Sequence, residues 1–288
     1  MNYENTKIYF DGSHYIGIPY EPQPWKKRRI KSTYEDETLK ELFEESFKAT
    51  AKKKRKERNE EITKALKPYI KNEEVLKNFV NKNLERKKRN LIERRKRLAR
   101  KTYLQKWSYF CTFTYDDKKH SAETFKIKLA NTLKHFSNRK SWKYIGVWER
   151  SPEKQRLHFH SLIYLPEAIE LNQKRDYSTK NHKMQITYES PYFLKRFGRN
   201  DFQPIDSHNL GSSIAYLMKY LEKTGEKIVY SKNLPTYFVS DILASDVACK
   251  IGQENRKLLL FDNFNCWKDG VLVGRISKET INQMPKLN

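Results

Sequence analysis

Arg156-Leu157-His158-Phe159-His160-Ser161-Leu162-Ile163-Tyr164 sets two histidines two residues apart in an apolar run. In a β-strand alternate side chains share a face, so His158 and His160 point the same way and Phe159 points the other. Two imidazoles on one face suit a single divalent metal; a plain strand with two hydrogen-bonded histidines has the same spacing. The sequence on either side decides between these readings.

Upstream, Trp142 to Glu149 reads as a second strand, and the polar residues 150–156 as the turn joining it to the histidine strand. Earlier still, Trp107 to Tyr115 is rich in aromatic and β-branched residues and ends at Asp116-Asp117, a third strand. Between them Ala122, Phe125, Leu129, Leu133 and Phe136 recur at helical spacing, so a helix is expected over 121–138 with Ser121 as its cap. Residues 166–200 are polar and show no clear period. Phe202 to Asp206 is expected as an edge strand because of Pro204. A helix follows from Ser212 or Ser213 to Lys223, stopped by Gly225. The order strand, helix, strand, strand predicts an α+β fold: a central antiparallel sheet of about five strands with helices on one face.

The chain has 288 residues and a formal net charge of +24, which names a polyanion, nucleic acid first, as partner. From Lys26 to Lys106 there are 29 Lys and Arg against 13 Asp and Glu, a net of +16. Apolar residues recur there at helical spacing: Leu39, Leu42, Phe43 and Phe47, then Leu84, Leu91 and Leu98. Pro68 and Asn72 mark a break between helices. The region is expected to be a basic helical arm on DNA phosphates, with Lys52, Lys53, Lys54, Arg55, Arg94, Arg95 and Arg97 as contacts. The expected organisation is a hairpin segment at 1–25, the basic arm at 26–105, a core at 106–235 and an accessory segment at 236–288.

Three cysteines without a C-x-x-C pair, no apolar run near the ~20 residues that span a bilayer, and no apolar signal region after Met1 predict a soluble, cytoplasmic protein with no membrane partner.

Two further groups could carry chemistry. Glu149 ends the strand before the histidine turn, so its carboxylate can lie near His158 as a third ligand; otherwise it is an exposed partner of Arg150. Tyr216, Lys219, Tyr220 and Lys223 fall at i, i+3, i+4 and i+7, while Ile214, Leu217, Met218 and Leu221 form the other, buried face. This is either an ordinary amphipathic helix or a stripe of phenol nucleophiles beside cations. A neighbouring Lys⁺ favours the phenolate of a group whose ordinary pKa is near 10.

Three patches in this order resemble the motifs of HUH endonucleases of the rolling-circle replication initiator family. They are Phe110-Cys111-Thr112-Phe113-Thr114-Tyr115, then Leu157-His158-Phe159-His160, then Tyr216-Leu217-Met218-Lys219, doubled by Tyr220-Leu221-Glu222-Lys223. The doubled tyrosine is similar to the initiators of small single-stranded DNA phages and some plasmids. The resemblance covers residues 105–235 and implies an HUH, ferredoxin-like palm. It implies Mg²⁺ or Mn²⁺ on His158, His160 and Glu149, and origin DNA in single-stranded form met by Thr112 and Thr114. It further implies attack by Tyr216 to leave a 5′-phosphotyrosine, a second transfer by Tyr220, and charge stabilisation by Lys219 and Lys223. Host polymerase and helicase would be its partners, since no G-x-x-x-x-G-K-[ST] occurs in the chain. Two other readings stay open: an HUH transposase or relaxase with the same chemistry, and a non-catalytic nucleic-acid-binding protein stacking bases on Phe110 and Tyr115. Oligomeric state is open.

Overall fold

A computed structural model describes residues 2–20, 34–51, 53–151, 155–178, 182–205, 210–224, 228–251 and 256–288, without the side chains of 34–36 and 221–224. Strands β1 (Tyr3–Phe10) and β2 (Tyr15–Ile18) form an antiparallel hairpin. Its turn is held by Asp11, whose Oδ1 accepts from the backbone N–H groups of Ser13 and His14 at 3.2 and 3.1 Å.

Two units divide the chain, one of residues 21–94 and one of 1–20 with 95–288. In the first, α1 (Tyr34–Ala49), α2 (Arg55–Leu66) and the start of α3 (Glu73–Tyr103) enclose Phe43, Ile62, Leu66, Leu76 and Val80. Burying five such side chains contributes roughly 1.5–3 kcal/mol each, so the basic arm has its own apolar core. The break expected at Pro68 and Asn72 is present. Asn72 Oδ1 accepts from the N–H groups of Glu74 and Val75 at 2.9 and 3.1 Å and so caps α3.

In the second unit β3 (Tyr109–Thr114) is followed by α4 (Ala122–Arg139), capped by Ser121 in a reciprocal box with Thr124. Then come β4 (Lys143–Arg150) and β5 (Leu157–Tyr164), the hairpin read from sequence. The polar stretch that showed no period holds a hairpin of β6 (Asn172–Ser178) and β7 (Lys183–Glu189), and a short helix α5 (Pro191–Arg196). β8 (Asn200–Pro204), α6 (Leu210–Thr224) and β9 (Val229–Tyr230) complete this layer. The expected helix stop at Gly225 lies outside the described residues.

The central sheet has seven strands, not five, in the order β6-β7-β8-β3-β5-β4-β9, all antiparallel. β8 is interior, not the edge strand expected from Pro204. Pro204 sits at its last residue, opposite Tyr109, while β7 meets β8 only at Tyr188 and Phe202, so the missing N–H interrupts no ladder. One face of the sheet, with Phe113, Trp148, Leu157, Phe159 and Phe202, packs into a core with Phe125, Leu129 and Leu133 of α4 and Phe193 of α5. Gly146 makes this packing possible: a Cβ there would stand 2.2 Å from the Phe159 ring.

The terminal segments, expected as separate pieces, form one eight-stranded sheet. After β9 the chain runs through β10 (Tyr237–Ile242), β11 (Val247–Ile251), β12 (Lys257–Leu260), β13 (Asn265–Lys268), β14 (Val271–Arg275), helix α7 (Lys278–Gln283) and β15 (Lys286–Leu287). The order is β11-β12-β2-β1-β10-β13-β14, with β15 also on β10. A two-stranded hairpin is only marginally stable alone in water, so β1 and β2 gain their stability from β10 and β12. Ile8, Phe238, Ile242, Leu258 and Phe264 form the core of this layer. Among the described residues no helix is long and apolar enough to cross a membrane.

Candidate active site

The face of the seven-stranded sheet opposite α4 carries the histidines. Register places Thr114 and Glu149 on either side of His158, and Thr112 and Val147 on either side of His160. Directly opposed residues on antiparallel strands share a face, so all six side chains project together.

Both imidazoles are oriented by threonines of β3. His158 Nδ1 and Thr114 Oγ1 share a hydrogen bond of 2.8 Å, and His160 Nδ1 and Thr112 Oγ1 one of 3.1 Å. These are the threonines expected to touch DNA; their hydroxyls go to the histidines instead. Each bond fixes a ring through Nδ1 and leaves Nε2 as the working nitrogen.

Glu149 reaches past its register partner. Its Oε2 lies 2.8 Å from His160 Nε2, not beside His158 as expected. His160 and Glu149 are nearly enclosed, with side chains 7% and 15% exposed. A neutral His160 that donates from Nε2 to Glu149 must accept at Nδ1 from the Thr112 hydroxyl. Metal ligation through Nε2 requires the other tautomer, with Nδ1–H donating to Thr112, and a threonine hydroxyl serves in either role. Among the described residues no three His, Cys, Asp or Glu donors are gathered closely enough to hold a metal ion. The donor chemistry, two imidazoles and one carboxylate, nevertheless suits a divalent cation once Glu149 releases His160.

Helix α6 packs across β4 and β5 and brings its tyrosines onto the histidines. Tyr220 stacks on His160 with ring centroids 5.0 Å apart and planes 7° apart. Tyr216 meets the same ring edge-on at 5.4 Å and lies 4.8 Å from Tyr220. The sequence placed these tyrosines on a face opposite the buried one. Tyr220 is in fact buried along with Ile214 and Leu217, because the histidine face of the sheet receives the aromatic stripe as well. Lys219 is exposed, and the side chain of Lys223 lies outside the described residues.

Burial raises the pKa of Tyr216; the nearby Glu149 charge raises it too, while a hydrogen bond with Tyr220 pulls it down. Tyr220 is raised by burial, by its hydrogen bond to Tyr216 and by Glu149. The pair is therefore asymmetric: Tyr220 donates, and Tyr216 is the phenol helped towards ionisation. His158 is lowered, first by burial and then by His160, with Glu149 opposing. It is held neutral, the form that ligates.

Of the expected phosphate contacts, Lys52 lies outside the described residues, and Lys53 is ion-paired with Glu61. Lys54 and Arg55 are exposed at the start of α2, Arg97 is exposed on α3, and Arg94 and Arg95 on the same helix are half-buried. A cleft of about 470 Å³ beside Thr114 is lined by Lys119, Arg156, Lys195 and Arg199 among others. Asp116, Asp117 and Asp176 pair with Lys119, Arg156 and Arg199, which leaves little net positive charge there.

One residue of this face had no signal in the sequence. Asp201 of β8 stands directly opposite Thr112, on the side away from His160. No local motif marks it, because only the long-range pairing of β8 with β3 brings it to the site.

Residues 108–225 match a family of replication-associated proteins, described under the heading ORF2. This segment, less than half of the chain, is similar to replication-associated proteins, and it contains the histidines, both threonines, Glu149, Asp201 and both tyrosines. No curated protein and no solved structure matches the chain.

Proposed function

We propose that this protein nicks and rejoins single-stranded origin DNA by HUH-type chemistry and so initiates rolling-circle replication. The observation that carries the reading is the packing of two tyrosines, four residues apart on one helix, against an imidazole of a His-hydrophobe-His pair. The similarity of residues 108–225 to replication-associated proteins supports it, and the net charge of +24 suits a nucleic acid substrate.

His158, His160 and Glu149 are the residues that would hold Mg²⁺ or Mn²⁺. Bound there, the cation supplies positive charge against the scissile phosphate. Tyr216 loses its proton and its Oη attacks phosphorus; the bond to O3′ breaks and that oxygen takes up a proton. The products are a 5′-phosphotyrosine and a free 3′-OH, which a host polymerase extends while a host helicase unwinds the duplex. Tyr220 accepts the second transfer, which closes the displaced strand. Lys219 and Lys223 contribute charge against the phosphate, and the basic residues of 21–94 hold the backbone. Each step exchanges one phosphodiester for another, so no nucleotide is hydrolysed.

The test is incubation with candidate origin strands and Mn²⁺, followed by a denaturing gel. A covalent adduct is expected with the wild type and none with Tyr216→Phe/Tyr220→Phe. Tight binding without an adduct on any strand overturns the catalytic reading in favour of a binding module. An adduct that survives the double substitution overturns the nucleophile assignment.

A further inference from the structure

The row of side chains that runs from His160 through Thr112 ends at Asp201. Asp201 Oδ2 accepts from Gln203 Nε2 at 3.0 Å. Its other oxygen, Oδ1, is shielded from solvent and accepts no hydrogen bond among the described residues. A buried acceptor left without a donor costs about 1–3 kcal/mol, so this oxygen is a standing demand for an N–H or O–H group. The demand is placed on the candidate active face, two strands from His160.

The chemistry of a DNA strand restricts what can meet it. Phosphates and sugar oxygens of the chain interior offer only acceptors, and phosphate is repelled by a carboxylate. Base edges carry the donors. With Oδ2 already engaged by Gln203, a single oxygen remains, which suits one exocyclic amine better than the two adjacent donors of guanine. Thymine places a carbonyl where cytosine has its amine. Single-stranded bases are free to present these edges.

We infer that Asp201 is a base-reading residue that accepts a hydrogen bond from the exocyclic amine of an adenine or cytosine in the bound strand. The inference rests on the reading of this face as a single-stranded DNA site, but not on cleavage. It adds a specificity residue to that site.

The test separates the two. The full chain with Tyr216→Phe/Tyr220→Phe, which needs no cleavage, is used to select a randomised single-stranded DNA library, with and without Asp201→Asn. The parent is expected to require adenine or cytosine at one position. Replacing that amine by a carbonyl (cytosine to uracil, adenine to hypoxanthine) should weaken binding about tenfold or more. With Asp201→Asn, whose amide offers a donor or an acceptor, the preference at that position alone should relax. An unchanged preference in Asp201→Asn overturns the inference. So does a parent that shows no position requiring an amino base, a result that needs no Asp201 variant to fold. Failure of the nicking reading shows separately, as wild-type protein that selects a sequence but forms no adduct with it.

Discussion

Tyr220 lies flat on His160, centroids 5.0 Å apart and planes within 7°, while Tyr216 meets the same imidazole at 84°. One ring of the histidine pair thus organises both phenols. The contact is aromatic as well as polar, so the tyrosine rings are held even when their hydroxyls are removed.

That relationship separates the two phenols. Tyr216→Phe is expected to abolish the first covalent adduct while leaving the fold intact. Tyr220→Phe should retain the adduct and slow its formation about two- to tenfold, the loss of one hydrogen bond of ~0.5–1.5 kcal/mol to Tyr216. Mass spectrometry of the DNA-linked peptide reads which tyrosine carries the phosphate. An adduct on Tyr220 in the wild type reverses the assignment.

Thr112→Val and Thr114→Val keep side-chain shape and β-propensity but release the imidazoles from their hydroxyl partners. Removal of such a partner weakens metal binding by roughly 10–100-fold. Titration of Mn²⁺ followed by electron paramagnetic resonance should show this loss for each variant, with unchanged circular dichroism. Equal Mn²⁺ affinity in wild type and both variants would mean that the threonines do not orient metal ligands.

Asp201 has a raised pKa, caused chiefly by burial of its carboxyl. The folded chain therefore binds this proton at a higher pH than the unfolded chain, whose value is about 3.9. Stability from the protonated form is complete below the unfolded value and is lost as pH rises through the folded one. Asp201→Asn removes the buried charge, so its melting temperature should exceed the wild type's at pH 7 and converge with it near pH 4. A constant difference across that range would show that ionisation of Asp201 carries no cost.

Gly146→Ala tests the packing beneath the site. The added methyl would meet the Phe159 ring at 2.2 Å, and Phe159 lies between the two histidines in sequence. Overpacking of this kind costs about 1–3 kcal/mol. Urea unfolding measures that loss, and a variant as stable as the wild type would show that the ring moves aside freely.

Much of this arrangement is local information. His158 and His160 share a face because strand periodicity is two, and Ser121 caps α4 because its hydroxyl reaches the third N–H beyond it. The hairpin of β4 and β5, the break before α3 and the amphipathic α6 follow from periodicity and turn residues close in sequence. These features depend on a few neighbouring residues, so a single sequence displays them. The polar β6–β7 hairpin escaped that reading because it has little apolar alternation and takes its place through β8.

The amino-acid sequence by itself determined an antiparallel α+β region around a histidine strand, a basic helical segment, and the residue types of a candidate phosphodiester site. Tertiary structure alone decided the rest. It joined the two ends of the chain into one sheet, drew Glu149 to His160 instead of His158, turned Tyr220 inward, committed Thr112 and Thr114 to the imidazoles, and set Asp201 beside them. Each of these depends on pairing between strands or helices distant along the chain. Such contacts are selected by burial and hydrogen bonding of whole faces, and no local spacing encodes them.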